Sequence, residues 1–181
     1  MRNMMFIALC LLFACNPDKA KKVDTHTSKF TTSDASELFF KNMRQIYYDK
    51  NTLEAAKLDI YRSKNRSVSD TDTVLNLAIV VNWRYDEAYL LVEPSEPLQA
   101  LDTIKILWKD TADQQQGYYL YAGGSKEVQF DFAARLYQGL QQEQQFLLDI
   151  HGKLSKFMAD RKHREAFRKT VFDYFRLVDL L

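Results

Sequence analysis

Apolar and polar residues alternate through the middle of the chain. The longest alternating run places apolar side chains at every second position, namely Leu75, Leu77, Ile79, Val81 and Trp83. A period of two puts these side chains on one face of a β-strand, while Asn76 and Asn82 lie on the other face. Shorter runs with the same period predict strands over residues 58–60, 89–92 and 104–108.

A pair of glycines marks the clearest predicted hairpin. Tyr118–Tyr121 and Val128–Phe132 flank the segment Ala122-Gly123-Gly124-Ser125, and paired glycines supply the positive φ of a tight turn. The second arm alternates apolar residues with polar ones, as expected of a strand with one buried and one wetted face. With this hairpin the sequence predicts six consecutive strands.

Helical spacing appears before the strands, in residues 34–48. Asp34 and Glu37 have the spacing of a capping box, and apolar residues then recur at helical intervals at Phe39, Met43, Ile46 and Tyr47. A strand is the alternative here, because a second apolar set shares one parity: Leu38, Phe40, Ile46 and Tyr48. The helix is favoured.

The C-terminal third returns to helical spacing. Residues 133–140 fit a short helix, and residues 146–150 and 154–157 fit a small hairpin around His151-Gly152. Asp160 then caps the most convincing helix, whose basic side carries Arg161, Arg168, Lys169 and Arg176, and whose apolar side carries Phe167, Val171, Tyr174, Phe175, Val178 and Leu181. The sequence thus predicts one α+β domain over residues 34–181: an antiparallel sheet of about six strands, open or sandwich-like, with this helix packed on one face.

The first fifteen residues have the pattern of an export signal. Arg2 is followed by an uninterrupted apolar run, Met4–Ala14. As a helix this run is about 16 Å long, whereas the hydrocarbon of a bilayer is about 30 Å thick. The run is therefore too short for a lasting transmembrane helix and has the length of a signal-peptide core.

Leu12-Phe13-Ala14-Cys15 resembles the lipobox of bacterial lipoproteins, although Phe13 is bulkier than the usual occupant. The resemblance covers this segment alone. It implies a signal peptide over residues 1–14, cleavage before Cys15, diacylglycerol on its sulfur and a fatty acyl group such as palmitate on its amino group. Two or three acyl chains on one cysteine anchor a protein stably in a membrane.

Residues 15–33 join the predicted anchor to the domain. They are polar, lack apolar periodicity and are expected to form a flexible tether. Asn16 follows the cysteine where enterobacterial lipoproteins use aspartate to stay in the inner membrane. By that rule we expect the protein in the periplasm of the cell envelope, anchored in the outer membrane rather than in the inner membrane.

Composition limits the partners. The chain of 181 residues has 25 basic and 24 acidic residues, and loss of residues 1–14 removes only Arg2 from this balance. A neutral domain lacks the positive footprint that nucleic-acid binding needs, so nucleic acid is not expected as a partner. Both cysteines lie within the first fifteen residues, so no disulfide is expected within the mature domain.

No local sequence motif indicates catalysis, a cofactor or a metal. The chain lacks G-x-S-x-G, G-x-G-x-x-G, P-loop, H-E-x-x-H and C-x-x-C patterns. His26, His151 and His163 have no second histidine or cysteine at ligand spacing. Asp70-Thr71-Asp72 could supply oxygen ligands to a cation, but its surroundings are typical of a loop before a strand.

Aromatic residues and charge leave two questions open. Trp83, Trp108, Phe130 and Phe132 are assigned to the core by parity, whereas the tyrosines at 118, 119 and 121 belong either to a doubly covered strand or to an exposed patch.

Residues 70–113 are mainly acidic and residues 151–176 mainly basic. A basic helix over an acidic sheet is favoured over a basic surface for anionic headgroups or a partner.

Together these patterns favour a non-enzymatic, lipid-anchored envelope protein that binds another envelope protein. One alternative is a binding module for a small apolar or lipid ligand, with a cavity beneath the C-terminal helix. The other is an envelope hydrolase whose catalytic carboxylates are distant in sequence. A packed core would favour the protein-binding function, and a deep apolar pocket would favour the ligand-binding module. Two facing acids would favour the hydrolase.

Overall fold

Two four-stranded antiparallel sheets form the framework of the protein. The computed structural model describes residues 27–69, 72–110 and 114–181. The predicted α+β class is confirmed, and among the described residues the strands number eight, in two sheets, where about six were expected. The predicted signal peptide, Cys15 and most of the predicted tether lie outside the described residues.

The first sheet contains β1 (Tyr48–Leu53), β2 (Leu58–Ser63), β3 (Leu75–Asn82) and β4 (Glu87–Pro94), in that spatial order. The predicted apolar face of β3 lies in the main core. Ala78 and Val80 on its other face are also buried, next to Ile60, because β3 is a central strand. Trp83 follows β3 in the turn and is 40% exposed, so its assignment to the core was wrong.

The second sheet has the order β6-β5-β7-β8. Its strands are β5 (Ile104–Lys109), β6 (Gln116–Tyr121), β7 (Gln145–Ile150) and β8 (Lys153–Phe157). β5 pairs with both β6 and β7, although 35 residues lie between the end of β5 at Lys109 and the start of β7 at Gln145. The predicted hairpin around His151-Gly152 is confirmed as β7–β8.

Within the described residues, four α-helices accompany the sheets: α1 (Asp34–Phe39), α2 (Glu96–Gln99), α3 (Lys126–Gln141) and α4 (Arg161–Leu177). α3 contacts β4 of the first sheet and β6 of the second, while α4 contacts α3, β3 and β4. Both sheets and both long helices therefore share one core, in which Phe130 of α3 meets Tyr174 and Phe175 of α4 edge-on.

The hairpin predicted from residues 118 to 132 is wrong in its second arm. Gly123 and Gly124 have positive φ and turn the chain, as expected, but Val128–Phe132 lies inside α3. Helical spacing continues from Phe130 through Ala133 to Tyr137, and these three side chains are buried. Three alternating residues were too short a sample to separate a strand from the first turns of a helix.

Residues 34–48 are mainly helical, as favoured, but the helix is irregular. α1 passes into a π turn, Phe40–Arg44, and a 3₁₀ turn, Gln45–Tyr47, before β1 begins at Tyr48. The capping box is formed by Ser33 and Ser36, whose hydroxyls and backbone N–H groups bond reciprocally, and not by Asp34 and Glu37.

The folded part begins before residue 34. The N–H of Ala88 donates to the carbonyl of Phe30 at 2.7 Å, and the N–H of Thr32 donates to the carbonyl of Asp86 at 2.8 Å. Tyr174 Oη donates to the Lys29 carbonyl at 2.7 Å, and the ring of Phe30 packs against the core. Residues 29–32 thus extend the edge of the first sheet beside β4, although the sequence placed them in the tether.

The apolar side of α4 is buried as predicted. Phe167, Val171, Tyr174, Phe175 and Val178 are all in the core, while Leu181 at the end of the chain is exposed. Asp160 caps the helix by accepting a hydrogen bond from the N–H of His163 at 3.0 Å. One residue of the predicted solvent side departs from the pattern. Arg168 is only 4% exposed, because residues 40–48 and the end of α3 cover that side of the helix.

Candidate functional site

A cleft of about 550 Å³ opens between α4 and the segment that joins α1 to β1. Its basic residues outnumber its acidic residues by five to two: Arg44, Lys162, Arg168, Lys169 and Arg176 against Glu165 and Asp173. Uncharged and aromatic groups complete the wall: Tyr47, Tyr48, Ser63, Asn65, Ala166 and Phe172. The cleft is therefore positively charged, in a chain whose overall charge is close to zero.

The geometry of α4 concentrates this charge. Lys162, Lys169 and Arg176 are seven residues apart, so they follow one another along a single side of the helix, about 10.5 Å apart. The opposite side of α4 packs on β3 and β4. The basic helix therefore lies over the first sheet, as favoured, but through its apolar side, and these three bases face the cleft.

Asp173 and Arg44 form the best-defined ion pair of the cleft. Arg44 Nε and Nη2 donate to the two carboxylate oxygens at 2.8 and 3.0 Å, and Tyr48 Oη donates to Oδ2 at 2.7 Å. Burial and the neighbouring carboxylate raise the pKa of Tyr48 well above 10, so its hydroxyl stays a donor. Burial acts to lower the pKa of Arg44, but hydrogen bonding to Asp173, together with the charges of Asp173, Tyr48 and Tyr47, raises this pKa overall. The negative charge of Asp173 is therefore balanced by Arg44 inside the cleft.

Arg168 is the most unusual side chain of the cleft. Its Nε and Nη2 donate to Glu165 at 3.2 and 3.1 Å, one turn earlier on α4. Its Nη1 is buried and has no hydrogen-bond partner among the described residues. A buried donor without a partner is rare in native proteins, and a charged one is especially unfavourable. This guanidinium has one donor group free.

Arg176 is held by aromatic rings instead of a carboxylate. Its guanidinium carbon lies 5.0 Å from the ring centre of Phe39 and 5.1 Å from that of Phe172. Arg44 is placed similarly over Tyr47, at 4.8 Å. These cation–π contacts fix the two guanidinium groups at the end of the cleft that adjoins α1.

An exposed apolar stripe borders the cleft on this side. It consists of Leu38, Phe39, Met43, Ile46 and Tyr47, whose exposed fractions lie between 37% and 67%. The sequence predicted that most of these residues would pack as the buried face of a helix. That prediction was wrong: Leu38 and Phe39 are exposed in α1 itself, and the phase of the helix then shifts at the π turn, where the N–H of Gln45 bonds to the carbonyl of Phe40. Phe40 is buried instead, against Tyr48 and Tyr61.

The second sheet carries another exposed apolar area, which answers the question about the tyrosines. Tyr121 is buried on Phe132, and Tyr119 stacks on Trp108 towards the core. Tyr118 is exposed on the outer face together with Leu120. One face of β6 therefore packs towards the core, and its other face carries an exposed apolar patch.

His151 and His163, the histidines in the described part of the chain, do not form a site. His26 lies outside the described residues, and His151 is exposed in the β7–β8 turn. His163 is buried, with Nε2 3.0 Å from the carbonyl oxygen of Leu75. Burial lowers its pKa, although the hydrogen bond to Leu75 opposes this. Residues 70 and 71 of the predicted loop are outside the described ranges, within which no three metal-ligating side chains cluster.

Sequence reasoning missed the cleft for an identifiable reason. The basic residues of α4 were visible, but Arg168 was grouped with the solvated ones because helical phase alone put it there. Its burial depends on residues 40–48, more than 120 positions away in the chain. The seven-residue spacing of Lys162, Lys169 and Arg176 was the available signal.

Comparison with known proteins yields no relative of this chain. No family model matches it, and neither does any curated protein or any solved structure. Within the described parts of the chain, no helix is both long enough and apolar enough to cross a bilayer. A functional assignment therefore depends on the chemistry of the cleft and the stripe.

Proposed function

We propose that this protein is a non-enzymatic, lipid-anchored interaction module of the bacterial cell envelope that binds another envelope protein through the apolar stripe. The observation that carries the proposal is the exposure of five large apolar side chains on one helical segment. Contiguous apolar areas that stay exposed on a folded domain are typical of docking surfaces.

The stripe lies on one short helical segment. Phe39, Met43, Ile46 and Tyr47 are exposed along its α, π and 3₁₀ turns, and exposed apolar side chains on a helical segment can act as anchors in an apolar groove of a partner. Lys41 and Arg176 flank the stripe, and Lys41 is half exposed although it pairs with Glu37. A groove with acidic residues on its rim would complement this surface.

Anchoring at Cys15 is the second part of the proposal and is tested separately. Mass spectrometry of the protein extracted from membranes should find a mature chain that begins at an acylated Cys15. Cys15→Ser should give an unprocessed or unlipidated product. Recovery of the wild-type protein with Met1–Ala14 still attached would contradict the anchor but leave the stripe proposal untouched.

Photocrosslinking on the full chain in its native membranes tests the docking surface. A photoreactive residue in place of Met43 should give one adduct of defined mass, and Ile46→Asp on the same chain should abolish it. Val68 offers a matched control, because it is apolar, 78% exposed and remote in the sequence. Val68→Asp should leave the adduct intact.

Two outcomes would contradict this assignment. Equal crosslinking from positions 43 and 68 would show nonspecific contact. Loss of the adduct with Leu120→Asp but not with Ile46→Asp would move the docking surface to the outer face of the second sheet.

The two alternative functions have less support. An apolar-ligand module would need a cavity beneath α4, yet Val171, Tyr174 and Phe175 fill that space and are fully buried. A hydrolase would need carboxylates available for acid–base chemistry. The two in the cleft, Glu165 and Asp173, each accept two hydrogen bonds from an arginine, which favours an ion-pairing role.

A further inference from the structure

We infer that the basic cleft binds a phosphate-bearing ligand whose oxyanion pairs with Arg168. The inference stands on the cleft alone, so it does not depend on the partner proposed for the apolar stripe. Its ground is a buried guanidinium with a free donor in the wall of a cavity with a surplus of positive charge.

The free donor identifies the type of ligand atom. Guanidinium N–H groups are donors only, so Nη1 of Arg168 requires an acceptor. Glu165 already accepts from Nε and Nη2, and Asp173 is engaged by Arg44 and Tyr48. The acceptor that fits this place is an oxygen brought by a ligand.

The surrounding charges indicate that the ligand is an anion. Lys162 and Lys169 are exposed, line the same cleft and have no acidic partner within 4.0 Å in the described ranges. The guanidinium of Arg176 lies over two aromatic rings and forms no ion pair among the described residues. One buried guanidinium and two ammonium groups that line the same cleft match the charge and the several oxygens of a phosphate group.

The size and walls of the cleft indicate that the phosphate is attached to an organic body. A volume of about 550 Å³ is in the range of pockets that enclose small organic ligands, and a phosphate ion alone would fill little of it. Tyr47 and Phe172 supply apolar surface beside the bases, and Ser63 and Asn65 supply hydrogen-bonding groups. A phosphorylated small molecule and the headgroup of a phospholipid share this chemistry.

Titration of the full chain in neutral detergent tests the inference and separates the two sources. The probes are glycerol 3-phosphate and the water-soluble short-chain lipid dihexanoylphosphatidylglycerol, with dihexanoylphosphatidylcholine as the zwitterionic control. Binding to the folded state raises the thermal midpoint in a saturable manner. A rise with glycerol 3-phosphate identifies a soluble ligand, and a rise with the anionic lipid alone identifies a headgroup; either result supports the site.

Variants then locate the binding. The double variant Lys162→Gln/Lys169→Gln changes only exposed side chains and should weaken the responding probe about tenfold or more, as expected for loss of charged hydrogen bonds. Arg168→Lys keeps the charge but removes the planar fork, and should weaken binding similarly if the variant folds. Lys153→Gln, on an exposed lysine of β8, should have no effect.

The inference fails if neither probe gives a saturable rise in the thermal midpoint. It also fails if Lys153→Gln weakens binding as much as the double variant, because the response would then reflect general charge. Neither result bears on crosslinking from position 43, so failure of the cleft and failure of the docking stripe are distinguishable.

Discussion

Arg44 and Asp173 connect the beginning and the end of the described chain across the cleft. The Asp173 carboxylate is almost fully buried and accepts hydrogen bonds from Nε and Nη2 of Arg44, whose side chain is 26% exposed. The pair fixes the π turn of residues 40–44 to α4, and through it the position of the apolar stripe. Loss of either partner would leave a charge without its counterpart.

Arg44→Ala should therefore destabilise the protein by about 3 kcal/mol, because a buried carboxylate loses its cation. Arg135→Ala is a matched control, since Arg135 pairs with Asp131 on the exposed side of α3. That substitution should change the free energy of unfolding by about 0.5 kcal/mol or less. Urea denaturation of both variants checks the difference, and equal losses would mean that Asp173 is compensated by other groups.

His163 should make stability depend on pH. Its folded pKa lies below the ordinary 6.5 because of burial, so the unfolded chain binds a proton at higher pH than the folded one. Stability from this residue is complete above about pH 6.5 and falls as the pH is lowered through the unfolded and then the folded pKa. His163→Gln removes this titration and should give a shallower decline of unfolding free energy between about pH 7 and pH 5. Parallel curves for the two proteins would contradict the assignment.

Removal of residues 27–32 should weaken the domain. A chain that begins at Ser33 loses the five hydrogen bonds of Lys29, Phe30 and Thr32 to the domain and the packing of the Phe30 ring, at a cost of about 2–4 kcal/mol. A chain that begins at Thr27 retains them and is the comparison. Thermal unfolding of the two distinguishes the packed segment from a passive tether, which would give equal midpoints.

Phe175→Ala should be among the most damaging single substitutions in α4. Phe175 is fully buried between Phe130 and Tyr137, and truncation of such a ring typically costs about 3–5 kcal/mol. Lys169→Ala, on the exposed side of the same helix, should cost about 0.5 kcal/mol or less. Comparable losses in denaturant midpoint would mean that the ring of Phe175 contributes little to the core.

How far the sequence predicted the fold depends on the length of each pattern. The run from Leu75 to Val81 and the helix after Asp160 were long enough for their periods to decide the element. Val128–Phe132 was not, since its three apolar residues fit the start of α3 as well as a strand. The split into two sheets depends on the pairing of β5 with β7, which no local pattern encodes.

The candidate site was largely beyond the reach of local patterns. Arg168 looks like any solvated base of an amphipathic helix until residues 40–48 cover it. The stripe, in contrast, was recognised as helical and apolar, but the segment packs on the core through Phe40 and leaves the stripe exposed. In both cases a local pattern gave the correct helix and tertiary contacts decided which side met solvent.

The contacts of Lys29 have a consequence for how the protein can be handled and oriented. Its carbonyl receives Tyr174, and its ammonium group donates to the carbonyl of Asp179 at 3.2 Å, so the chain enters and leaves the domain at the same pole. If Cys15 holds the molecule, as proposed, a tag or fluorescent protein fused after Leu181 would start from the same pole as the chain that runs to the anchor. Any force applied between Thr27 and Leu181 would act first on these hydrogen bonds and then on the pairing of residues 29–32 with the edge of the first sheet.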